Sequence, residues 1–170
     1  MFIFLILCYT IIYFRMKRRE ESMKLNSCHE IAVFILNDEG QVLLQKRSST
    51  KKYYPNMWTL CTGHVEKGES ASAAAMRELK EELDVTVSLD NLYSFIDGKF
   101  DSNTTWFFYI KCNFLAEEFI IQEEELSEVA WFSIDSLIDM IKNQNGTIVY
   151  KENKLDLFLA LKEFVNRSVL

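Results

Sequence analysis

Residues 63–85 read GHVEKGESASAAAMRELKEELDV, and the reading of this stretch decides the fold. Gly63 and Gly68 suit tight loop turns. Ser70 is a good N-cap for a helix that strong helix formers carry from 71 to about 83. On such a helix Glu78, Glu81 and Glu82 stand at i, i+3 and i+4, so their carboxylates share one face. Three like charges repel one another, and the arrangement becomes favourable where a divalent cation sits among them, because hard oxygen donors suit magnesium. The same face runs back through Ala71, Ala74 and Ala75, whose small side chains let the helix lie close to a loop or a substrate. Met76, Leu79 and Leu83 point away, toward the core. Three glutamates alone, however, describe a solvated acidic helix better than a metal site.

The complete spacing is more specific. Gly63, five residues, Glu69, seven residues, then Arg77-Glu78-Leu79-x-Glu81-Glu82-x-x-Val85 resembles the signature of the Nudix hydrolase superfamily at every position but one. The departure is Asp84, where the family usually has glycine; Asp tolerates left-handed backbone better than most residues, so the helix is expected to end there regardless. Outside the box, the QKR segment before it and Glu128-Val-Ala-Trp-Phe-Ser-Ile-Asp-Ser-Leu137 after it look like Nudix flanks, somewhat like those of the isopentenyl-diphosphate isomerase-like branch. The resemblance covers about residues 27–165. It implies an α+β Nudix fold, a mixed β-sheet sandwiched between α-helices, with the box forming loop–helix–loop.

By the same resemblance Glu78, Glu81 and Glu82 hold a magnesium ion, with manganese as the alternative, and a backbone carbonyl near Thr62 or Gly63 adds a ligand. The implied reaction is hydrolysis of a phosphoanhydride in a nucleoside diphosphate linked to another moiety. The water's proton goes to Glu81 or Glu82, or to a carboxylate of the Glu123-Glu124-Glu125 loop. Glu69 and Arg77 are expected to pair and hold the loop against the helix, a task suited to bidentate guanidinium geometry. Arg47, Tyr54 and Trp58 are the substrate-binding candidates, Arg47 for phosphate and the rings for stacking a base, with Tyr53, Trp106 and the lysines at 46, 51 and 52 behind them. Isopentenyl-diphosphate isomerases share the Gly63-His64 pair and the Trp58-Thr59 context but place a catalytic cysteine directly before the glycine. Here Thr62 stands there, and Cys61, one residue earlier, faces the other way along a strand. A non-catalytic nucleotide-binding module is the remaining alternative, although such modules commonly lose a box glutamate and none is lost here.

Outward from the box, 30–36 (EIAVFIL) is an apolar, β-branched run ended by the turn Asn37-Asp38-Glu39-Gly40, and 41–47 (QVLLQKR) follows as the second arm of a hairpin. Residues 48–56 hold the only proline, Pro55, and read as loop; 58–62 is a short strand. After the box, 85–96 reads as strand, 97–103 as turn, 104–114 as a long aromatic strand and 128–132 as a last short strand. Helices are expected at 134–142, ended by Asn145-Gly146, and at about 154–166. Substrate specificity is expected in the loops 48–56, 97–103 and 119–127.

The balance of 49% hydrophobic and 26% charged residues in 170 is that of one globular domain. A net charge of −6 argues against an extended nucleic-acid surface, while leaving room for a small phosphorylated substrate. Cys8, Cys28, Cys61 and Cys112 make no C-x-x-C pair and read as reduced, intracellular thiols; His29 and His64 are too few for a histidine-rich zinc site. Residues 1–14 (MFIFLILCYTIIYF) are apolar and 15–19 (RMKRR) basic. That run is short for a bilayer span, and its charge follows it rather than preceding it as in a secretory signal. Residues 1–26 are therefore either a short anchor, touching membrane through 1–19 and leaving the domain cytoplasmic, or the product of an early start with Met16 or Met23 the true beginning. The catalytic domain is expected at 27–170. Oligomeric state is not legible.

Overall fold

Every residue of the run Ile31–Leu36 is buried, as expected of a strand covered on both faces. The structure, a computed structural model, describes residues 30–95, 105–143 and 146–168. The apolar and basic segments 1–14 and 15–19, the turn 97–103 and His29 lie outside the described residues. Among the described residues no helix is long and apolar enough to cross a membrane.

Four strands precede the box helix: β1 (Glu30–Leu36), β2 (Gln41–Arg47), β3 (Trp58–Thr59) and β4 (Cys61–His64). α1 (Ala71–Leu83) follows, then β5 (Tyr93–Ser94), β6 (Thr105–Lys111), β7 (Leu126–Ser133), α2 (Ile134–Asn143) and α3 (Leu155–Ser168). The sheet is mixed. Its main path is β3-β2-β1-β6-β5, with β4 paired to β1 and β7 paired to β2. β1 and β6 run parallel from Glu30↔Thr105 to Leu36↔Lys111, and the other pairs are antiparallel.

Alternation along β1 divides the core. Ile31, Val33 and Ile35 enter one layer with Leu43, Cys61 and Phe108, under Ala74, Ala75, Leu79 and Leu83 of α1. Ala32, Phe34 and Leu36 enter the other with Val42 and Phe107, under Leu137, Ile141, Phe158 and Leu161 of α2 and α3. The helix–sheet–helix sandwich expected from the sequence is thus present.

The hairpin turn is closed by Asn37, whose Oδ1 accepts from Gln41 N at 2.8 Å, and by Gly40 at φ 73°. α1 begins and ends where expected. Ser70 Oγ accepts from Ala73 N at 3.1 Å, and Asp84 takes the left-handed conformation (φ 56°, ψ 25°) with its N–H on Lys80 O. The short strand expected at 58–62 is two strands. The chain leaves β2 after Thr59 and joins β1 at Cys61, pivoting on the fully buried Leu60. The strand expected over 85–96 is a correction: only Tyr93–Ser94 pairs, with Tyr109 and Phe108. Ser88 and Asn91 account for the difference. They close a 3-10 turn at Leu89–Asn91, with Asn91 N on Ser88 O at 3.0 Å and Asn91 Nδ2 on Ser88 Oγ at 3.2 Å. That local bonding competes with the sheet ladder and wins.

Candidate active site

Packing fixes how the box helix presents its acids. Leu79 and Leu83 lock α1 onto the sheet, and Ala74 and Ala75 bring it close. Glu78, Glu81 and Glu82 then stand at three depths: the Glu81 side chain is 54% exposed, that of Glu78 14%, and Glu82 is buried. Gly63 of β4 lies directly against Glu78. A Cβ there would come within 2.1 Å of Glu78 Cδ and Oε1, so any larger residue would displace the Glu78 carboxylate from this position.

Arg77 is the hub on the exposed side. Its Nε and Nη2 donate to the two oxygens of Glu69 at 3.1 and 3.2 Å, and Nη2 also reaches His64 O at 2.9 Å. Glu69 in turn accepts from Glu66 N at 3.0 Å. The guanidinium therefore ties the loop 64–69 to α1. It also holds Glu69 below the ordinary carboxylate range and is itself held more firmly protonated by these partners, Glu69 above all. Through Nη1 Arg77 reaches Glu78 Oε1 at 2.7 Å and Glu81 Oε2 at 3.0 Å. Burial nevertheless pushes the Glu78 carboxyl upward against that help.

Glu82 has a different set of neighbours. Gln45 Nε2 of β2 donates to Glu82 Oε2 at 2.6 Å, and the buried Cys61 thiol of β4 lies near the same carboxylate. Burial pushes the carboxyl up to about 7, and the charges of Glu78 and Glu125 act in the same direction. Burial likewise raises the Cys61 thiol well above its usual range, with Glu82 adding to the effect. Gln45 Oε1 is buried without a hydrogen-bond partner among the described residues, a deficit worth about 1–3 kcal/mol. The loop 122–125 closes over this end of the helix, with Gln122 N on Glu82 O at 3.0 Å. Ser48 N bonds Glu125 O at 2.8 Å, and the Lys51 ammonium pairs with the Glu125 carboxylate.

The donors around α1 suit a hard cation. Glu78, Glu81 and Glu82 offer only oxygen, and the negative charge of this group, with Glu69 and Glu125, exceeds that of Arg77 and Lys51. Among the described residues, though, no three acidic, thiol or imidazole groups converge as a ready metal cluster. The reason is visible: Glu78 and Glu81 turn to Arg77, and Glu82 turns to Gln45. Holding an ion would require the first two to leave the guanidinium, which Glu69 and His64 O would still retain.

The three substrate-binding candidates are not brought together. Arg47 Nε donates to Tyr53 O at 3.0 Å, and the Arg47 backbone bonds Met57 O and Asn56 N, so the side chain braces the base of the 48–57 loop. Tyr54 is exposed in that loop, where it and Asn56 take positive φ of 53° and 60°. Trp58 lies on the sheet face opposite Glu82. It is registered with Lys46, packs edge-on to Phe132 at 5.0 Å and joins the α2/α3 layer. Trp106 packs into the α1 layer, and Tyr53 is exposed beside Lys52. Gln45 and Cys61 went unassigned as partners of Glu82, because a buried polar residue in a strand looks like a surface one until its neighbours are known. A cleft of ≈ 930 Å³ opens elsewhere, between Asp84, Val85, Tyr93, Tyr109, Lys111 and Phe114. None of the box glutamates lines it.

Comparison with known proteins places this geometry among relatives. A family model described as NUDIX domain matches residues 29–151. An uncharacterised Nudix hydrolase of Listeria innocua is 33% identical over 108 residues, covering 63% of this chain and 64% of the relative. An isopentenyl-diphosphate Delta-isomerase of Photorhabdus laumondii is 33% identical over 116 residues, 66% of each chain. The chain therefore spans just under two thirds of the length of these relatives. A crystal structure from Deinococcus radiodurans shares the fold at a TM-score of 0.61 and 21% identity, over 81% of this chain and 85% of that one.

Proposed function

Because the chain belongs to the NUDIX domain family, we propose that it hydrolyses a diphosphate bond in a nucleoside diphosphate linked to another moiety, with magnesium or manganese as cofactor. The observation that carries this reading is the three-carboxylate face of α1 pressed against Gly63, with one member seated in the sheet.

Glu78, Glu81 and Glu82, with the Gly63 backbone, would hold the ion. A divalent cation bound there withdraws charge from phosphorus and makes water easier to deprotonate. Arg77 and Glu69 keep the loop 64–69 on the helix, so the backbone next to the site does not drift. Glu81, the most exposed of the three, reaches solvent and is assigned the proton of the attacking water; Glu82 is assigned the fixed ligand. Of the loop 123–125, Glu125 is the carboxylate whose charge is felt at Glu82, and it is the alternative acceptor. Phosphate and base recognition are assigned to the 48–57 loop, which carries Tyr54 and is braced by Arg47, with the Lys51 ammonium beside the site. Trp58 packs into the α2/α3 layer and is given no role at the site. The domain is assigned to residues 27–170, on the cytoplasmic side of any membrane contact made through residues 1–19.

An isomerase reading is disfavoured by Cys61. Its thiol is enclosed beneath α1 near Glu82, where a substrate does not reach it. The test is magnesium-dependent turnover by the full chain over nucleoside triphosphates, dinucleotide cofactors, nucleotide sugars and capped RNA, with isopentenyl diphosphate added. The double variant Glu81→Gln, Glu82→Gln should lose at least about a thousandfold in turnover, the order expected from several kcal/mol of lost charge stabilisation. Undiminished turnover in that variant rejects the site, and isomerised isopentenyl diphosphate without hydrolysis rejects the reaction.

A further inference from the structure

β2 carries a polar side chain into the layer beneath α1. Leu43 of the same strand belongs to that apolar layer, and Gln45, two residues on, is 2% exposed. Its Nε2 makes a short bond to Glu82 Oε2, 2.6 Å long, while its Oε1 has no partner among the described residues. A buried amide with half its capacity unused is a poor core residue, because methionine would fill similar volume without stranding an acceptor. What the amide does well is hold one carboxylate. Cys61 meets the same carboxylate from β4. The Glu82 head group is therefore referred to two strands of the sheet. Among the described residues, the Glu78 and Glu81 carboxylates hydrogen-bond to Arg77, one and four residues away on their own helix, rather than to the sheet.

We propose that Gln45 is a positioning residue of the cation site, fixing the Glu82 carboxylate so that ion binding has only Glu78 and Glu81 left to order. The proposal rests on the assignment of Glu82 as a ligand made above. Groups that orient a ligating side chain act through it, and their loss costs about 10–100-fold in metal affinity.

Manganese alone is the probe, titrated into the full chain without substrate and read by loss of the free-ion electron paramagnetic resonance signal. Gln45→Met should weaken manganese binding by about 10–100-fold. Gln45→Asn, which keeps the amide but falls one methylene short of Glu82, should show the same loss and serves if the first variant does not fold. Affinity equal to the wild type in a folded variant, even one with a lowered melting temperature, marks a packing role and overturns the proposal while leaving the site in place. Equal affinity in the wild type and the Glu81→Gln, Glu82→Gln variant overturns the ligand assignment itself, and the role of Gln45 falls with it.

Discussion

Val33 and Phe34 are adjacent in β1, yet the layers they enter differ in kind. Phe34 meets Phe95 at 5.0 Å, Phe158 at 6.0 Å and Phe107 at 6.1 Å, ring against ring, beneath α2 and α3. Val33 enters a largely aliphatic layer where Ala74 and Ala75 let α1 sit close and where an amide and a carboxylate, Gln45 and Glu82, are buried together. Dense aromatic packing stabilises a fold through area and shape, and about 3–5 kcal/mol is lost when one such ring is truncated. A buried carboxylate works the other way, since desolvation costs more than one hydrogen bond returns. Both faces bury an extensive apolar cluster, and among the described residues the α1 face alone adds the cost of a buried carboxylate.

Four substitutions would break or sharpen that contrast. Phe158→Ala, at the centre of the ring layer, should cost about 3–5 kcal/mol by chemical denaturation and leave turnover per folded molecule unchanged. A loss of specific activity at unchanged stability would show that the faces are not separable. Gly63→Ala should do the opposite. Its Cβ, 2.1 Å from Glu78 Cδ, must push the carboxylate aside, so magnesium-dependent turnover should fall about a hundredfold with only a small shift in melting temperature.

Glu82→Gln probes the price of burial directly. The Glu82 carboxyl, raised to about 7 by burial, holds a proton in the folded chain over a range where the unfolded chain is already ionised. Stability is therefore present below the ordinary carboxylate pKa and is lost as pH rises toward about 7. In chelator, the wild type should lose about 3 kcal/mol between pH 4.5 and pH 8, and Glu82→Gln should lose measurably less. Glu69, held low by Arg77, acts in the reverse sense only at more acid pH, as its carboxylate becomes protonated. A flat pH profile in both proteins would place Glu82 in a wetter site than its burial indicates. The smallest effect belongs to Ser70→Ala, which removes the N-cap on Ala73 N and should cost about 1 kcal/mol by thermal melting.

Local rules made much of this legible in advance. Seven-residue strands at Glu30–Leu36 and Gln41–Arg47 follow from apolar runs broken by an Asn-Asp-Glu-Gly turn. The box helix follows from Ser70 at one end and a residue tolerant of left-handed backbone, Asp84, at the other. Where local chemistry was overlooked the expectation failed, as at 88–91, whose Ser-Leu-Asp-Asn bonds to itself rather than to β6. The spacing of Gly63, Glu69, Arg77 and the three glutamates was likewise readable, because a helix's period puts i, i+3 and i+4 on one face whatever surrounds it.

What no spacing could specify is which of those carboxylates is buried, what each one touches, and on which side of the sheet an aromatic ring falls. Gln45 and Cys61 are 16 residues apart in the chain, and Glu82 lies beyond both; they meet because β1 pairs with β4 while β2 turns away to β7. Trp58 was separated from the carboxylates by its register against Lys46, a cross-strand relation. Sequence alone determined the elements and the acidic face, since those depend on residues within a few positions of one another. Tertiary structure alone decided depth, partner and proton affinity, since desolvation and hydrogen bonding at Glu82 are set by strands remote in the chain.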